Sequence, residues 1–302
     1  MRKKILITGS NGLLGQKLVQ LLIHNAAIDL IATSRGENKL SQLVPELHFI
    51  SLDVTQEQQV EKVISVERPT HIIHTAALTN VDECELNPEA CWNINVEAVK
   101  NIVAACQKYN VRLIHLSTDF VFDGEAGPYT EEALPNPVSY YGKSKTAAEE
   151  IVKSSIDLNW TIIRTVLVYG IVHDYGRTNI VLWVKNSLEA QKTIQVVNDQ
   201  FRTPTLAEDL ALACWLVADQ NAAGIYHISS KEILTPYQMA LQVADYFNLN
   251  KAFIKEANAS NFSQPARRPP STGFIITKAE TELGFKPHNF TEGIAVVGSQ
   301  LW

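Results

Sequence analysis

Basic clusters, cysteines and long apolar runs are all scarce in this sequence. Its 302 residues include 26 Lys and Arg against 32 Asp and Glu, which gives a net charge of −6. No long basic block occurs, and the adjacent Arg267 and Arg268 stand apart from other cations. Binding to nucleic acid is therefore disfavoured, because phosphate contacts require clustered Lys and Arg.

Four cysteines in so long a chain, without the close spacing of metal ligands, predict reduced thiols, a reducing compartment and no metal site. Near the N-terminus the apolar run covers only Ile5–Ile7, which is too short for a signal peptide. No segment approaches the apolar length of a membrane span. We therefore expect a cytoplasmic protein without membrane contact. The cysteines are Cys84, Cys91, Cys106 and Cys214.

Short apolar runs alternate with longer helical patterns in the first half of the chain. Such strands, separated by helices, indicate a parallel sheet covered on both sides. The pattern predicts a doubly wound α/β fold, in which ligands bind at the carboxyl ends of the strands. The predicted strands are Lys4–Thr8, Leu30–Ser34, His48–Leu52, His71–Thr75, Arg112–Ser117 and Trp160–Thr165, and the predicted helices are Leu13–His24, Gln56–Val66, Pro88–Tyr109 and Tyr141–Ser155.

The second half is less regular and predicts a smaller α/β domain. Thr235 followed by a proline reads as the capped start of a helix. One strand, Ile225–Ser229, is predicted here. The predicted helices are Thr205–Asp219, Thr235–Phe247 and Thr291–Leu301.

A glycine-rich turn, TGSNGLLG, follows the first predicted strand directly. Glycines there allow a tight turn and let backbone N–H groups approach a pyrophosphate at the start of a helix. Its place at the start of a βαβ unit makes the motif informative and predicts a Rossmann-like dinucleotide site. The predicted cofactor-binding residues of the turn are Gly9, Ser10, Asn11, Gly12, Leu13, Leu14 and Gly15.

The second predicted strand ends with Ser34 and Arg35 rather than with an acidic residue. An Asp or Glu in this region typically binds the ribose 2′-hydroxyl of NAD. A hydroxyl and a cation suit a 2′-phosphate instead. We therefore expect NADP(H), with NAD(H) as the alternative. We expect residues 1–170 to form the NADP-binding domain and residues 171–302 to be mainly substrate-binding, with strands around 194–229 returning to the first domain as an alternative.

Two adjacent tyrosines each have a lysine within one helical turn. Tyr141 and Lys145 are four residues apart, and Tyr140 and Lys143 are three apart. A tyrosine can exchange a proton with substrate, and a neighbouring lysine would lower its pKa. Spacing alone does not choose between the two tyrosines.

The segments TGSNGLLG and YGKSK resemble the extended branch of the short-chain dehydrogenase/reductase superfamily. The resemblance implies that Tyr141 is the proton donor and that Lys145 holds the nicotinamide ribose and lowers the tyrosine pKa. Tyr140 would then line the substrate cleft. Further cofactor contacts that the resemblance implies are Asp53, Val54, Ala76, Ala77 and Asn95.

The segment LSTDFVFDG follows the fifth predicted strand. The resemblance implies that Thr118 is the hydroxyl that binds the substrate carbonyl, with Ser117 as a substitute. Asp119 is expected to anchor the turn more than to act as an acid. Thr79, Asp119 and Phe120 are expected near the substrate.

STDFVFDG, YGKSK, DQFRTPT and a terminal GF.P..F.EGI pattern together resemble the dTDP-4-dehydrorhamnose reductase family over essentially the whole chain. The implied reaction is reduction of a 4-keto nucleotide-sugar by NADPH, and Arg202 and Asn179 would help to hold the nucleotide diphosphate. Leu167 stands where the family usually has tryptophan, which bears on the sugar. His173 is a further candidate contact.

We expect the reductase to form a homodimer, and two alternatives to a reductase remain open. The regulatory β subunit of methionine adenosyltransferase resembles the same family and would bind NADP without this reduction. Retention of Thr118, Tyr141 and Lys145 favours an enzyme over such a subunit. A nucleotide-sugar epimerase or dehydratase is the other alternative, and a dehydratase would need a carboxylate pair where only Asp119 stands.

Overall fold

The computed structural model describes residues 2–173 and 178–301. Its central feature is a seven-stranded sheet in which every pair of neighbours is parallel. The strands along the chain are β1 (Lys3–Thr8), β2 (Ile28–Ser34), β3 (His48–Ser51), β4 (His71–His74), β5 (Arg112–Thr118), β6 (Trp160–Thr165), β7 (Val168–Tyr169), β8 (Ile194–Val197), β9 (Thr205–Leu206), β10 (Gly224–Ile228) and β11 (Ile254–Ala257).

Helices cover both faces of this sheet, as the alternating pattern predicts. They are α1 (Leu13–Leu22), α2 (Glu57–Glu67), α3 (Val81–Leu86), α4 (Pro88–Trp92), α5 (Ala98–Tyr109), α6 (Tyr140–Ser154), α7 (Ile180–Glu189), α8 (Ala207–Gln220), α9 (Pro236–Tyr246), α10 (Thr277–Leu283) and α11 (Phe290–Ser299).

The strand order of the central sheet is β3-β2-β1-β4-β5-β6-β10. The middle of β1, Ile5–Ile7, is fully buried, because the helices pack against both sides of the strand. Register brings Thr8, His74 and His115 level across β1, β4 and β5. The carboxyl ends of these strands therefore form one edge, and the doubly wound prediction is confirmed.

The predicted helix Pro88–Tyr109 has the correct bounds, but it is not one continuous α-helix. It consists of α4, a π-helical turn at Asn93–Glu97, and α5. A π turn admits one extra residue, and such turns recur at functional sites. The short helix α3 just before it was not predicted. Its start is capped by the Asn80 side chain, which accepts a hydrogen bond from the Glu83 N–H.

A second core lies in the C-terminal half. Strand β8 pairs in parallel with β11 in a separate two-stranded sheet. Helices α7, α9 and α11 pack with it around buried residues such as Tyr169, Met239 and Phe290. Helix α9 starts at Thr235 with a capping box, as its sequence predicts.

The chain returns to the central sheet before it ends. Strand β10 pairs with β6 at the sheet edge, and α8 packs against α1. Strand β8, by contrast, stays in the separate sheet, so only the later part of the 194–229 segment rejoins the central sheet. Within the described residues, no helix combines the length and the apolar character needed to cross a bilayer.

Candidate active site

A cavity of about 730 Å³ extends along the carboxyl ends of the central strands. At one end it is lined by the glycine turn, and at the other by the segment that contains Arg268. Most of the predicted site residues line it. They are Gly9, Asn11, Gly12, Leu13, Leu14, Gly15, Ser34, Arg35, Asp53, Val54, Ala76, Ala77, Thr79, Thr118, Asp119, Phe120, Tyr141, Lys145, Asn179 and Arg202.

The glycine turn has the geometry that anion binding needs. Gly9 adopts a φ of 70°, and a Cβ there would lie 2.8 Å from the Ala76 nitrogen. A Cβ on Gly15 would lie 2.3 Å from the Gly9 carbonyl oxygen. The N-cap of α1 is Gly12, which has no side chain and so offers no capping hydrogen bond to the first N–H groups of the helix. Such a helix start attracts a phosphate through its N–H groups and dipole.

The Asn11 side chain fixes the loop after β2. Its amide nitrogen donates to the Glu37 carbonyl at 2.8 Å, and its oxygen accepts from the Lys39 N–H at 3.1 Å. Ser34 and Arg35 precede this loop, and Arg35 is exposed at the cavity wall. Ser34 and Arg35 therefore line the same cavity as the glycine turn, where they can contact a molecule bound at that turn.

Two predicted cofactor residues do not line the cavity. The Ser10 side chain is buried. Asn95 lies in the π turn, where its amide oxygen accepts from the Leu78 N–H at 2.8 Å and its amide nitrogen donates to the Ser144 hydroxyl at 3.0 Å. Asn95 thus ties the loop after β4 to helix α6, and acts on the site through its neighbours.

Helix α6 begins against the end of β5 because of its first residues. The Ser139 hydroxyl caps the helix by accepting from the Gly142 N–H at 3.2 Å. A Cβ on Gly142 would lie 2.2 Å from the Phe120 carbonyl oxygen, so only glycine permits this approach. The Tyr141 side chain therefore packs close to Thr118, and hydrogen bonding with Thr118 favours its ionised form.

Burial nevertheless governs the proton of Tyr141. It raises the pKa of the phenol well above the usual value, against the smaller effect of Thr118. The lowering that the sequence predicts from Lys145 is not found. Instead the Lys145 ammonium donates to the Leu116 carbonyl oxygen at 2.6 Å. Burial lowers the pKa of Lys145 to about 8, and Glu149 partly opposes that shift.

Tyr140 differs from Tyr141 in position. It does not line the cavity, contrary to its predicted place in the substrate cleft. Its ring lies against Trp92, with the ring centroids 6.3 Å apart. Its backbone N–H donates to the Glu85 carboxylate at 3.0 Å. Of the two adjacent tyrosines, only Tyr141 therefore lines the cavity.

Ser117 and Thr118 also separate into different roles. The Ser117 hydroxyl donates to the Glu149 carboxylate at 2.5 Å, and Glu149 in turn pairs with the buried Arg164 at 2.7 Å. Thr118 donates to the Asp119 carboxylate at 3.0 Å and remains at the cavity wall. Ser117 lines the cavity as well, so the two hydroxyls differ in their hydrogen-bond partners rather than in their position.

Asp119 and Arg202 form a buried pair beneath the cavity. The Arg202 Nε lies 3.8 Å from the Asp119 carboxylate, which also accepts from the Thr272 hydroxyl. Burial raises the pKa of Asp119, and Arg202 opposes that shift. The Arg202 guanidinium also donates to the carbonyl oxygens of Phe201, Pro269 and Pro270. Most of its donors are therefore engaged within the protein.

Asn179 is similarly engaged. Its side-chain oxygen caps α7 by accepting from the Val181 and Leu182 N–H groups, and its amide nitrogen donates to the Gly170 carbonyl at 2.7 Å. The exposed His173 does not line the cavity. Its backbone forms a reciprocal pair with the buried Gln16 amide, with donor–acceptor distances of 2.8 and 2.9 Å.

Sequence reasoning missed the partly exposed Arg268 as a cavity residue. Its guanidinium pairs with the Asp82 carboxylate at 2.7 Å, and Asp82 also accepts from the Ala266 N–H. This pairing joins the proline-rich segment to the start of α3. The two residues are 186 positions apart in sequence, so no local pattern indicates the contact. Leu167, noted for its departure from the family, lines the cavity with a φ of 38°.

The fold and the cavity together define a class of protein. A phosphate-binding turn, a buried tyrosine and a buried lysine converge on one cavity, as a dinucleotide-dependent α/β oxidoreductase requires. Within the described residues, no cluster of three or more His, Cys, Asp or Glu side chains is placed to hold a metal.

Comparison with known proteins extends this description. The model of the RmlD substrate binding domain family matches residues 2–301, and the chain belongs to that family. It is 34% identical to dTDP-4-keto-6-deoxy-D-glucose reductase of Streptomyces niveus, over 95% of this chain and 93% of that protein. It is also 30% identical to methionine adenosyltransferase 2 subunit beta of Danio rerio, over 92% of this chain and 84% of that one.

Among solved structures, dTDP-4-dehydrorhamnose reductase from Bacillus anthracis, in complex with NADP, superposes with a TM-score of 0.86. It shares 29% identity and covers 99% of this chain and 100% of its own. These relatives confirm the predicted family, the Rossmann-like fold and the assignment to the NAD(P)-dependent oxidoreductases.

Proposed function

We propose that this protein is an NADPH-dependent reductase that acts on the 4-keto group of a nucleotide-activated 6-deoxy-sugar. The observation that carries the proposal is the meeting of Thr118, Tyr141 and Lys145 in the cavity that also contains the glycine turn. A protein that only bound the nucleotide would have no chemical need for these three side chains. The names of its reductase relatives support the substrate class.

NADPH fits the residues at the glycine end of the cavity and, when bound, would supply the hydride for sugar C4. The N–H groups at the start of α1 would bind its pyrophosphate. Ser34 and the exposed Arg35 would bind the 2′-phosphate, for which a carboxylate would be unsuitable. Asp53 and Val54 would border the adenine. The NADP complex of the Bacillus anthracis relative supports this choice over NAD(H).

Tyr141 would deliver the proton to the oxygen that forms at C4. Burial raises its pKa, so the phenol carries the proton that it must donate. Thr118 would donate a hydrogen bond to the same oxygen once its hydroxyl turned from the Asp119 carboxylate, to which it donates in the structure. Lys145, as an ammonium, would bind the nicotinamide ribose and stabilise the phenolate that remains after transfer.

Arg268 is the more exposed of the two arginines that line the substrate end of the cavity: its side chain is 20% exposed against 6% for Arg202, although its guanidinium also donates to Asp82 and to the Ala266 carbonyl oxygen. We propose that Arg268 attracts the diphosphate, while Arg202 and Asn179 shape the wall. Leu167 would contact the sugar with an apolar side chain. In this proposal the substrate still binds at the predicted end of the cavity. The main attraction for its diphosphate comes from Arg268 instead of Arg202.

The direct test is NADPH oxidation, followed by nicotinamide absorbance, with freshly prepared dTDP-4-keto-6-deoxy-sugar. Tyr141→Phe should reduce kcat by about 10²- to 10⁴-fold, the usual contribution of a general acid, and should leave NADPH affinity unchanged. Tyr140→Phe is the matched control and should retain near-normal kcat. Collapse of the control together with activity in Tyr141→Phe would reverse the assignment of the tyrosines.

The second candidate is a regulatory subunit, which the Danio rerio relative favours. Such a protein would bind NADPH tightly, would not oxidise it with any keto-sugar, and would retain a partner enzyme in a pull-down. An epimerase would instead retain NAD(H) through purification. Rapid NADPH oxidation with the keto-sugar excludes both readings, because neither consumes the reduced nucleotide.

A further inference from the structure

Two buried histidines lie side by side behind Lys145. His74 ends β4, and His115 pairs with it in register on β5. Their rings are stacked with centroids 5.6 Å apart, and each side chain is at most 2% exposed. Neither residue belongs to the predicted site, and neither lines the cavity.

The ring nitrogens of His115 have unequal surroundings. Its Nε2 lies 3.5 Å from the Lys145 Nζ. An ammonium can only donate, so this nitrogen must be the unprotonated one and Nδ1 must carry the ring proton. Among the described residues, His115 Nδ1 is buried without a hydrogen-bond partner. His74 repeats the pattern, with Nδ1 2.8 Å from the Thr8 hydroxyl and with a buried Nε2 that has no partner among the same residues.

A third buried histidine provides the contrast. His227 is also inaccessible, but its Nδ1 lies 3.1 Å from the Tyr129 carbonyl oxygen and its Nε2 lies 3.4 Å from the Arg164 guanidinium. Both of its nitrogens therefore contribute to the fold. A buried N–H without a partner costs free energy, and an apolar side chain at position 115 would avoid that cost. Among the described residues, His115 thus makes fewer bonds within the fold than His227 does.

We propose that His115 is a positioning residue for Lys145, in which the neutral Nε2 and the Leu116 carbonyl oxygen hold the ammonium charged and in place beside Tyr141. The inference rests on the proposed function, in which Lys145 acts as a cation. Burial lowers the pKa of His115 well below the usual value, so the ring stays neutral and able to accept. A charged ring there would repel the ammonium.

The other groups around Lys145 determine how strongly the loss of one acceptor would change its pKa. Glu149 raises the Lys145 pKa, but its carboxylate is already bonded to Arg164 and Ser117. Because burial lowers the Lys145 pKa to about 8, the loss of an acceptor would take effect near neutral pH. The titratable groups that face Lys145 are Tyr141 and Glu149 on α6, His115 on β5, His74 on β4, Cys84 on α3 and Cys91 on α4.

The test compares His115→Leu with His115→Gln, which keeps an acceptor, and with the control His71→Leu. His71 lies at the other end of β4, where its nitrogens lie within 3.0 Å of Thr70 and Asn221 side chains. In His115→Leu the alkaline fall of kcat/KM should move to lower pH by about one unit, the size of one hydrogen bond to a charged group. His115→Gln and the control should keep the wild-type profile.

NADPH affinity measured against pH by nicotinamide fluorescence supplies a readout that needs no sugar. Its alkaline break should move with that of kcat/KM in His115→Leu. A wild-type protein that binds NADPH but reduces no keto-sugar would reject the proposed function and leave this comparison intact. If the break is absent in the wild type, or stays in place in His115→Leu, the inference about His115 is wrong.

Thermal unfolding separates positioning from a structural role. His115→Leu should have a midpoint no lower than that of His71→Leu at neutral pH, because the substitution removes an unpartnered N–H. A markedly lower midpoint, with an unshifted profile in a folded His115→Gln protein, would assign His115 to stability and overturn the proposal.

Discussion

The two ends of the cavity are built in different ways. At the cofactor end, Gly9, Gly12 and Gly15 follow one strand and open one helix, so consecutive residues form the site. At the substrate end, Arg202 and Arg268 come from distant segments, and each is paired with an acid from yet another segment. The cofactor end is formed by glycines that leave the backbone open to close approach. The substrate end is formed by ion pairs between residues that are far apart in sequence.

This difference decides what a motif can reveal. A glycine pattern indicates directly that no side chain fits at those positions. An arginine in a motif indicates that a guanidinium is needed, but not whether it binds a ligand or another part of the protein. Arg202 lies in the conspicuous FRTPT segment, yet its donors hold the carbonyl oxygens of the Pro269–Pro270 segment in place. Arg268 lies in a proline-rich loop and keeps an exposed fraction of 20% at the cavity.

The largest expected effect separates the two arginines. Arg202→Leu should lower the free energy of unfolding by about 3 kcal/mol, because it leaves Asp119 and several carbonyl groups buried without their partner. Arg268→Leu should lower it by less than about 1 kcal/mol, since the pair with Asp82 is partly exposed. Urea unfolding measures both values.

Kinetics with the same two variants sharpen the comparison. Arg268→Leu should raise KM for the nucleotide-sugar by roughly tenfold, the effect of about 1.4 kcal/mol, while KM for NADPH stays constant. If a stable Arg202→Leu protein showed the KM increase and Arg268→Leu did not, the original expectation for Arg202 would be restored.

Steric access at the cofactor end can be tested with two glycines that have nearly equal φ values. Gly9 and Gly284 have φ values of 70° and 68°. A Cβ on Gly9 would lie 2.8 Å from the Ala76 nitrogen, whereas a Cβ on Gly284 would have no atom within 4 Å. Gly284→Ala should cost about 1 kcal/mol of stability, from backbone strain alone.

Gly9→Ala should add the clash to the same strain. We expect a further loss of about 1–3 kcal/mol in stability and a roughly tenfold or larger loss of NADPH affinity. NADPH fluorescence titration and urea unfolding measure these effects. Equal NADPH affinities in the two alanine variants would mean that backbone approach at Gly9 is unimportant for binding.

The central sheet could be predicted from sequence because each βα unit carries its own periodicity. β1, β2 and β6 lie within two residues of their predicted bounds. The pairing of β8 with β11 could not be predicted, because residues 194–197 and 254–257 are far apart and both strands are short. The π turn at Asn93–Glu97 also has no periodic signal, since its residues continue a helical pattern on either side.

The candidate site divides in the same way. Tyr141 and Lys145 could be found because they are one turn apart, but spacing left Tyr140 open and only resemblance chose between them. The structure adds the physical reason, which is that Gly142 lets α6 approach Phe120 and directs Tyr141 to the cavity. The role proposed for His115 could not be predicted from the sequence, because one histidine in a strand has no spacing pattern that links it to Lys145.

The most gradual expected effect concerns Lys145, spread over several pH units, and it distinguishes the function of this residue from its contribution to stability. Burial lowers its folded-state pKa from 10.5 to about 8. Above pH 8 the folded protein loses this proton while the unfolded chain keeps it until about 10.5, so the unfolded state binds more protons. Stability from this group must then rise with pH inside that window, by at most about 1.4 kcal/mol per pH unit.

Activity should change in the opposite direction, because the proposed role of Lys145 needs the ammonium. We expect kcat/KM to fall above about pH 8. Urea unfolding of Lys145→Met and the wild type at several pH values should show the difference moving in favour of the wild type between pH 8 and 10. The exposed Lys143→Met, on the same helix, controls for other titrations. A difference that moves the other way would mean that the folded protein holds the Lys145 proton more tightly than the unfolded chain does.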